Sequence, residues 1–348
     1  MKILLLQLKR IGDLVLTTPA VRCLREAFPQ ARLALVVDSS CASLVQAIAV
    51  DECWVYHKGD GLRGLVGRGS NAWLKNCLFG MGADWALDFT GTDRSAWLSA
   101  ISFSQRRVTF RRFRTKPLRA FLYTDFVKSA VRERHTADHY TDLLAPLGIQ
   151  RERVPLDLRL KAEDVEAARL LLARSGISDR YVAVHPGTAR AEKYWLPERW
   201  AHLIDFLHAE YGLRCVLTGS RDGAEQDHLS KITSLLQGDF IDISGKTDLP
   251  MLAAVIGDAS LLCGVDTAAI HLADAVGTPS LALFGPTNPF HWCPRHTRSV
   301  VLRAQTNPPF IAEQNGGPME DISVASAIQG VRELLRKDLN RDPLSHPS

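Results

Sequence analysis

No apolar run in this chain of 348 residues reaches the ~18–20 residues that a membrane-spanning helix needs. Nor does it contain a CxxC pair. The seven cysteines, at 23, 41, 53, 77, 215, 263 and 293, are scattered and odd in number, which suits structural thiols in a reducing cytoplasm better than a disulfide framework. Cys215 and Cys263 sit in apolar runs, where a thiol behaves as a small hydrophobe. DxD, HExxH, GxSxG and P-loop motifs are all missing. Metal-assisted phosphoryl chemistry is therefore disfavoured, and neither a metal nor a cofactor is expected. Charge imbalance is also small: the net value of +4 does not by itself point to nucleic acid, which is not expected as a partner.

Hydrophobic content of 46% and charged content of 23% fit a globular chain with sizeable cores, and the length suggests two domains. The opening MKILLLQLKRIGDLVL is expected to be strand one rather than a signal peptide, because its apolar run is short and Lys9, Arg10 and Asp13 interrupt the residues after it. Strand 3–8, a helix to Ala27, strand 31–37, a helix capped at 38–40 and strand 53–56 give βαβαβ, a doubly wound parallel pattern. GDGLRG at 59–64 matches G-x-G-x-x-G. It neither follows the first strand nor opens a helix, so it reads as a surface loop. Another strand at 85–89 ends in a polar turn, 90–94, and a helix is expected over 135–148.

The polar stretch 150–160 marks the boundary, giving domains 1–155 and 156–322, a C-terminal helix 323–340 and a tail 341–348 that is expected to be disordered. The second half repeats the grammar, with strands at 181–184, 214–217 and 240–243. Its centrepiece is ASLLCGVDTAAIHLADAVGTPSLALFGPT, 259–287, which reads strand, turn, helix, strand. Asp266 or Thr267 can cap that helix, Gly277 suits its left-handed end, and Pro279 stops it. A helix starting just past a parallel strand offers free N–H groups to a phosphate, although many such units bind nothing. The fold class is thus α/β, two doubly wound parallel-sheet (Rossmann-like) domains facing across a cleft. Polar turns 9–13, 90–94, 185–193, 218–225, 244–246 and 266–267 all fall at strand carboxyl ends, where such sheets hold ligands.

Each candidate residue has two readings. Asp13 can cap the first helix or serve as a general base. Lys193, with Thr188, can meet phosphate oxygens or lie exposed. Glu225 can favour its helix dipole or accept the hydroxyls of a ribose. His271, among Ile, Leu and Ala, can be a packed core histidine or a ligand contact. Residues 106–119, RRVTFRRFRTKPLR, carry seven Lys or Arg and no acid, interleaved with Phe110, Phe113 and Leu118. They are either a solvated basic loop or a seat for an anionic partner.

IGDLVLTTPAVRCLREAFPQA, HPGTARAEKYWLPERW and GVDTAAIHLADAVGTPSLALFGPTNPFHWCP resemble glycosyltransferase family 9, the ADP-heptose:lipopolysaccharide heptosyltransferases, over nearly the whole chain. DFTGTDRSAWLSAISFSQRRVTF and HTADHY are most similar to its heptosyltransferase III subgroup. The resemblance implies a GT-B fold with an acceptor-binding first domain and a donor-binding second domain. It implies transfer of heptose from ADP-heptose to the inner core of lipopolysaccharide with inversion, at the cytoplasmic face of an anionic inner membrane. Asp13 matches the proposed base, and Thr188 and Lys193 the donor-phosphate residues. Glu225 is the nearest match to the ribose-binding glutamate, with Asp222 as rival. Asp266 matches the donor-sugar aspartate, the backbone of Thr267, Ala268 and Ala269 would face the pyrophosphate, and His271 matches the family histidine. Ala268 stands where many members have Gly. Lys9 and Arg10 replace two serines of a better-known subgroup, which points to a phosphorylated acceptor. With Arg111, Arg112, Arg114 and Lys116 they would form the acceptor side. The final helix is expected to pack back toward the first domain. The competing functions are a different donor or a protein acceptor on the same fold, or a non-catalytic sugar-nucleotide binder.

Overall fold

The computed structural model describes residues 1–58, 72–115, 117–128, 131–304, 309–313 and 316–339. The GDGLRG stretch and the 341–348 tail lie outside the described residues. The chain divides into two compact units, Met1–Arg159 and Leu160–Ser348, so the division falls inside the polar stretch 150–160.

In the first unit the order is β1 (Lys2–Gln7), α1 (Ile11–Val15), α2 (Thr18–Ala27), β2 (Arg32–Asp38), β3 (Glu52–Tyr56), α3 (Ala72–Met81), β4 (Trp85–Asp88), α4 (Asp93–Ile101), β5 (Arg106–Phe110), α5 (Pro117–Ala120), β6 (Asp125–Val127) and α6 (Thr136–Asp142). The strands lie side by side as β3-β2-β1-β4-β5-β6, and every pairing is parallel. Ile3 to Leu6 of β1 and Leu33 to Val37 of β2 are wholly buried, as unbroken apolar runs covered on both faces should be.

Several elements differ from the sequence expectation. The first helix is two, because Thr17 breaks it ahead of Pro19. Asp38 does cap the segment after β2, accepting from Ser40 N at 3.1 Å, but its turns are 3₁₀ (Ser39–Ala47). The helix expected over 135–148 ends at Asp142; Pro146 interrupts it, and a 3₁₀ turn ends at left-handed Gly148 (φ 77°). The basic stretch 106–119 is not one loop, since its first five residues are β5.

In the second unit the order is α7 (Ala162–Arg174), β7 (Tyr181–His185), α8 (Pro197–Tyr211), β8 (Arg214–Leu217), α9 (Gly223–Thr233), β9 (Phe240–Asp242), α10 (Leu249–Asp258), β10 (Leu261–Val265), α11 (Ala268–Val276), β11 (Ser280–Phe284), α12 (Pro289–Trp292), β12 (Ser299–Arg303) and α13 (Val324–Leu339). The sheet is again six-stranded and parallel, β12-β11-β10-β7-β8-β9. Pro197 at the start of α8 and Gly212 beyond its end set its limits, while Trp200, Leu203, Ile204 and Leu207 form the buried stripe between. Trp195 and Trp200 meet edge to face at 5.1 Å, and the Trp195 indole donates to Ile322 O at 2.8 Å. Burying each such side chain contributes roughly 1.5–3 kcal/mol.

The helix expected to return toward the first unit spends its buried residues, Ala327, Val331, Leu334 and Leu335, on the core of the second. Gly330 permits that approach: a Cβ there would stand 2.8 Å from Leu281 Cδ1. Among the described residues no helix is long and apolar enough to cross a membrane.

Candidate active site

Both sheets reverse their strand order at one place, between β1 and β4 and between β7 and β10. The carboxyl ends of those strands flank a crevice in doubly wound folds, and that is where ligands bind. Asp13 follows β1, and Lys193 and Asp266 follow β7 and β10.

In the first unit the turn after β1 is pinned by wholly buried Gln7, whose amide donates to Thr17 Oγ1 at 2.8 Å. Thr17 in turn donates to Asp13 O at 2.8 Å, and Leu8 N–H donates to Thr90 Oγ1 at 2.7 Å. The N-cap position of α1 belongs to Arg10, so Asp13 is not the cap. Its carboxylate instead accepts a hydrogen bond from the Tyr140 hydroxyl. Lys9 Nζ donates to that same hydroxyl at 3.0 Å and lies 3.8 Å from Asp13 Oδ1. Burial holds the Tyr140 hydroxyl well above its usual range, with the Asp13 charge adding to it. Tyr140 therefore remains a donor at working pH. Burial lowers Lys9, an effect the charge of Asp13 opposes and that of Arg112 assists.

The basic stretch separates into two groups. Arg106 pairs with Asp125, Arg107 donates to Ser104 O and Leu122 O, and Arg119 donates to Gly91 O and pairs with Asp93. These three tie the unit together. Arg112 differs. Its guanidinium lies 4.6 Å from the Phe113 ring centre and 5.7 Å from that of Phe110. Its Nε is buried and has no hydrogen-bond partner among the described residues. Burial lowers its pKa, and the neighbouring Tyr140 oxygen and Asp13 carboxylate oppose that shift. Phe113 can pack there because residue 91 is glycine, at φ 68°, where a Cβ would fall 2.0 Å from the ring. Thus Lys9, Asp13 and Arg112 are brought together. Arg10, Arg111 and Arg114 are exposed, Arg114 lies over the Phe126 ring, and Lys116 lies outside the described residues.

In the second unit Lys193 Nζ donates to Asp266 Oδ2 at 2.5 Å and approaches Asp266 O at 3.4 Å. Asp266 and Thr188 are both buried. Thr267 is the N-cap of α11 but makes no side-chain cap, so the first-turn N–H groups of Ala268 and Ala269 carry no hydroxyl on them. Gly277 ends the helix at φ 78° as expected. His271 is buried on α11.

Glu225 and Asp222 have different jobs. Asp222 caps α9 by accepting from Ala224 N at 3.0 Å. Glu225 is buried and turns back, accepting from Ser220 N at 2.9 Å, with Oε2 only 2.8 Å from where a Cβ on Gly187 would be. The carboxylate that faces the turn after β7 is therefore Glu225. Beside it His185 Nδ1 shares a hydrogen bond with Thr218 Oγ1 at 2.9 Å, and burial lowers His185 while Glu225 opposes the shift. Tyr194 and His228 stack at 4.3 Å with nearly parallel rings.

Sequence reasoning alone misses Tyr140, Gln7 and Thr17 as supports of Asp13. The one available signal is the HTADHY segment, which ends in Tyr140.

The profile described as Glycosyltransferase family 9 (heptosyltransferase) matches residues 73–317. The chain is similar to the lipopolysaccharide core heptosyltransferase OpsX of Haemophilus influenzae, 24% identical over 94% of this chain and 90% of that one. It is 25% identical to lipopolysaccharide heptosyltransferase 3 of Escherichia coli, over 81% of this chain and 82% of the relative. In structure it resembles the E. coli ADP-heptose lps heptosyltransferase II with a TM-score of 0.78 and 20% identity, over 97% of this chain and 100% of that one. That likeness is one of fold, which is GT-B.

Proposed function

The chain belongs to glycosyltransferase family 9, and on that premise we propose that it transfers a heptose from ADP-heptose to the inner core of lipopolysaccharide, with inversion and with Asp13 as general base. The observation that carries this reading is the Asp13 carboxylate at the end of β1, oriented by Tyr140 and flanked by Lys9. A base must be held where an acceptor hydroxyl can reach it, and a buried donor that stays protonated does this.

In the proposed reaction the acceptor hydroxyl attacks C1 of the heptose as Asp13 takes its proton. The bond from C1 to the β-phosphate oxygen breaks, and ADP leaves with the electron pair. Lys193, Thr188 and the backbone N–H groups of Thr267, Ala268 and Ala269 stabilise the charge that develops on the diphosphate. Asp266 meets the donor sugar and Glu225 the ribose hydroxyls, while Asp222 stays in its cap. The position of His271 on α11 suits a contact to the donor. Lys9 and Arg112 favour an acceptor that carries a negative group near the reacting hydroxyl, with the exposed Arg10, Arg111 and Arg114 around it. An acceptor anchored in lipid places the reaction at the cytoplasmic face of the inner membrane.

Calorimetry with ADP, UDP and GDP, without added metal, tests the donor. Selective ADP binding that Lys193→Ala abolishes supports the reading; a preference for UDP or GDP overturns the heptose assignment. For the base, Asp13→Asn keeps ADP binding and loses about 10²–10⁴ in turnover. Near-normal turnover in that variant would remove Asp13 from the role.

A further inference from the structure

Lys193 rides on a turn that is lightly held. Residues 189–192 are exposed. The 3₁₀ turn Ala191–Lys193 has no side-chain cap and closes on two backbone bonds, Lys193 N to Arg190 O at 2.9 Å and Tyr194 N to Ala191 O at 3.0 Å. The Arg190 side chain pairs with Glu192, within the same turn. Asp266 holds the Lys193 ammonium, but a diphosphate that takes the lysine ends that contact.

The turn is fastened at its exit. Tyr194 is half-buried and lies flat on His228 of α9, with ring centres 4.3 Å apart and planes inclined by 8°. Trp195, next in the chain, is wholly buried and bonded to Ile322 O. His228 follows Glu225 by one turn of α9, and both side chains are buried. At the other end of the same loop Gly187 passes so near Glu225 that a Cβ would stand 2.8 Å from Oε2. The loop is thus laid on α9 at both ends, over Glu225 at one and beside Lys193 at the other.

His228 is an expensive residue for its place. Its Nε2 is buried and has no hydrogen-bond partner among the described residues, a cost that an aliphatic side chain would avoid. Burial pushes its pKa down to about 4, so the ring is neutral at working pH. Burial also raises the Tyr194 hydroxyl, and the charges of Glu225 and Asp222 raise it further, so that ring is neutral too. What the pair supplies is a preferred geometry, which an aliphatic contact lacks.

We propose that Tyr194, stacked on His228, is a positioning residue that fixes the span between Lys193 and Glu225, and so matches the second unit to a ligand that carries a diphosphate and a ribose at one set separation, a nucleoside diphosphate. This rests on the donor reading above, in which Lys193 meets the phosphates and Glu225 the ribose. A span held in advance lets one ligand make both contacts without first ordering the turn.

The test is calorimetry of the full chain with ADP. Tyr194→Leu keeps apolar bulk but removes the ring, and it should weaken ADP binding about five- to tenfold. His228→Leu should do the same while melting no lower than the wild type, since it removes the unpaired nitrogen, so weaker binding cannot be ascribed to unfolding. Tyr194→Phe keeps the stack and should bind ADP as the wild type does. The deciding measurement is coupling. In Glu225→Ala the ribose contact is already gone, so adding Tyr194→Leu should weaken ADP by less than about twofold. A stack that merely kept the turn folded would cost the same in both backgrounds, and that result would overturn the inference. So would unchanged ADP affinity in Tyr194→Leu, or a Tyr194→Phe variant as weak as Tyr194→Leu. Failure of the wild type to bind ADP would remove the donor reading and this inference together, whereas wild-type binding with additive losses removes the inference alone.

Discussion

Lys193 Nζ lies 2.5 Å from Asp266 Oδ2, so the cation assigned to the donor phosphates and the carboxylate assigned to the donor sugar hold each other. A diphosphate that claims Lys193 must compete with Asp266 for it. Asp266→Asn should therefore bind ADP several-fold more tightly by calorimetry, while transfer falls because the sugar contact is lost. Tighter ADP binding and slower turnover in one variant would separate the two roles. Lys193→Ala should instead destabilise the second unit by roughly 3–5 kcal/mol, since Asp266 is left buried without its partner. Chemical denaturation measures this.

Tyr140→Phe keeps the ring against Phe89, which it meets edge to face at 5.8 Å, and removes only the hydroxyl that orients Asp13. A hydrogen bond to a charged group contributes about 1.5–3 kcal/mol, so kcat should fall about ten- to a hundredfold with little change in acceptor KM. An unchanged kcat would show that Asp13 needs no such support.

Arg112 and Arg119 share a basic stretch but not a role. Arg112→Ala should raise acceptor KM about tenfold and leave the melting temperature nearly unchanged. Arg119→Ala should do the reverse, costing about 1–2 kcal/mol of stability through its lost bonds to Gly91 O and Asp93. Steady-state kinetics beside thermal melts would show whether the two effects separate.

His139 is pushed down to about 3, chiefly by burial and further by the positive charges of Arg112, Lys9 and Arg134. In the unfolded chain it titrates near 6.5. Between those values the unfolded chain takes up a proton that the folded chain refuses. The stability contributed by neutral His139 is thus full above about pH 6.5 and falls as pH drops, by about 1.4 kcal/mol per unit. His228, pushed down to about 4 by burial, acts in the same direction. Melting temperatures taken from neutral pH toward about pH 5 should decline, and His139→Phe should decline less steeply.

What the sequence makes legible here is local. Asp13, Lys193, Asp266 and the Thr267 turn stand beside strands whose apolar runs announce themselves, and the turn residues come within a few positions of them. What it hides is pairing at a distance. Tyr140 reaches Asp13 across 127 residues, and neither residue's neighbours reveal the other. The basic stretch misleads for a related reason: its density of cations looks like one surface, yet Asp125 claims Arg106, and Gly91 and Asp93 claim Arg119, from elsewhere in the chain. Short β5 and β6 escape notice because paired parallel strands at a sheet's margin need few apolar residues of their own. Glu225 and Asp222 are three residues apart and become distinguishable only once the helix cap has taken one of them.

The two sheets share one winding diagram. Starting from β1 or from β7, two strands are laid to one side and three to the other. Each half therefore has its own point of reversal and its own turn of polar residues. On the proposed assignment, the choice of acceptor is written in one half and the choice of donor in the other. Substitutions that retune Lys9 or Arg112 need not disturb Lys193, Glu225 or Asp266. A chain built this way can keep one activated sugar while its acceptor changes, and a lineage of such chains can diversify its products one half at a time.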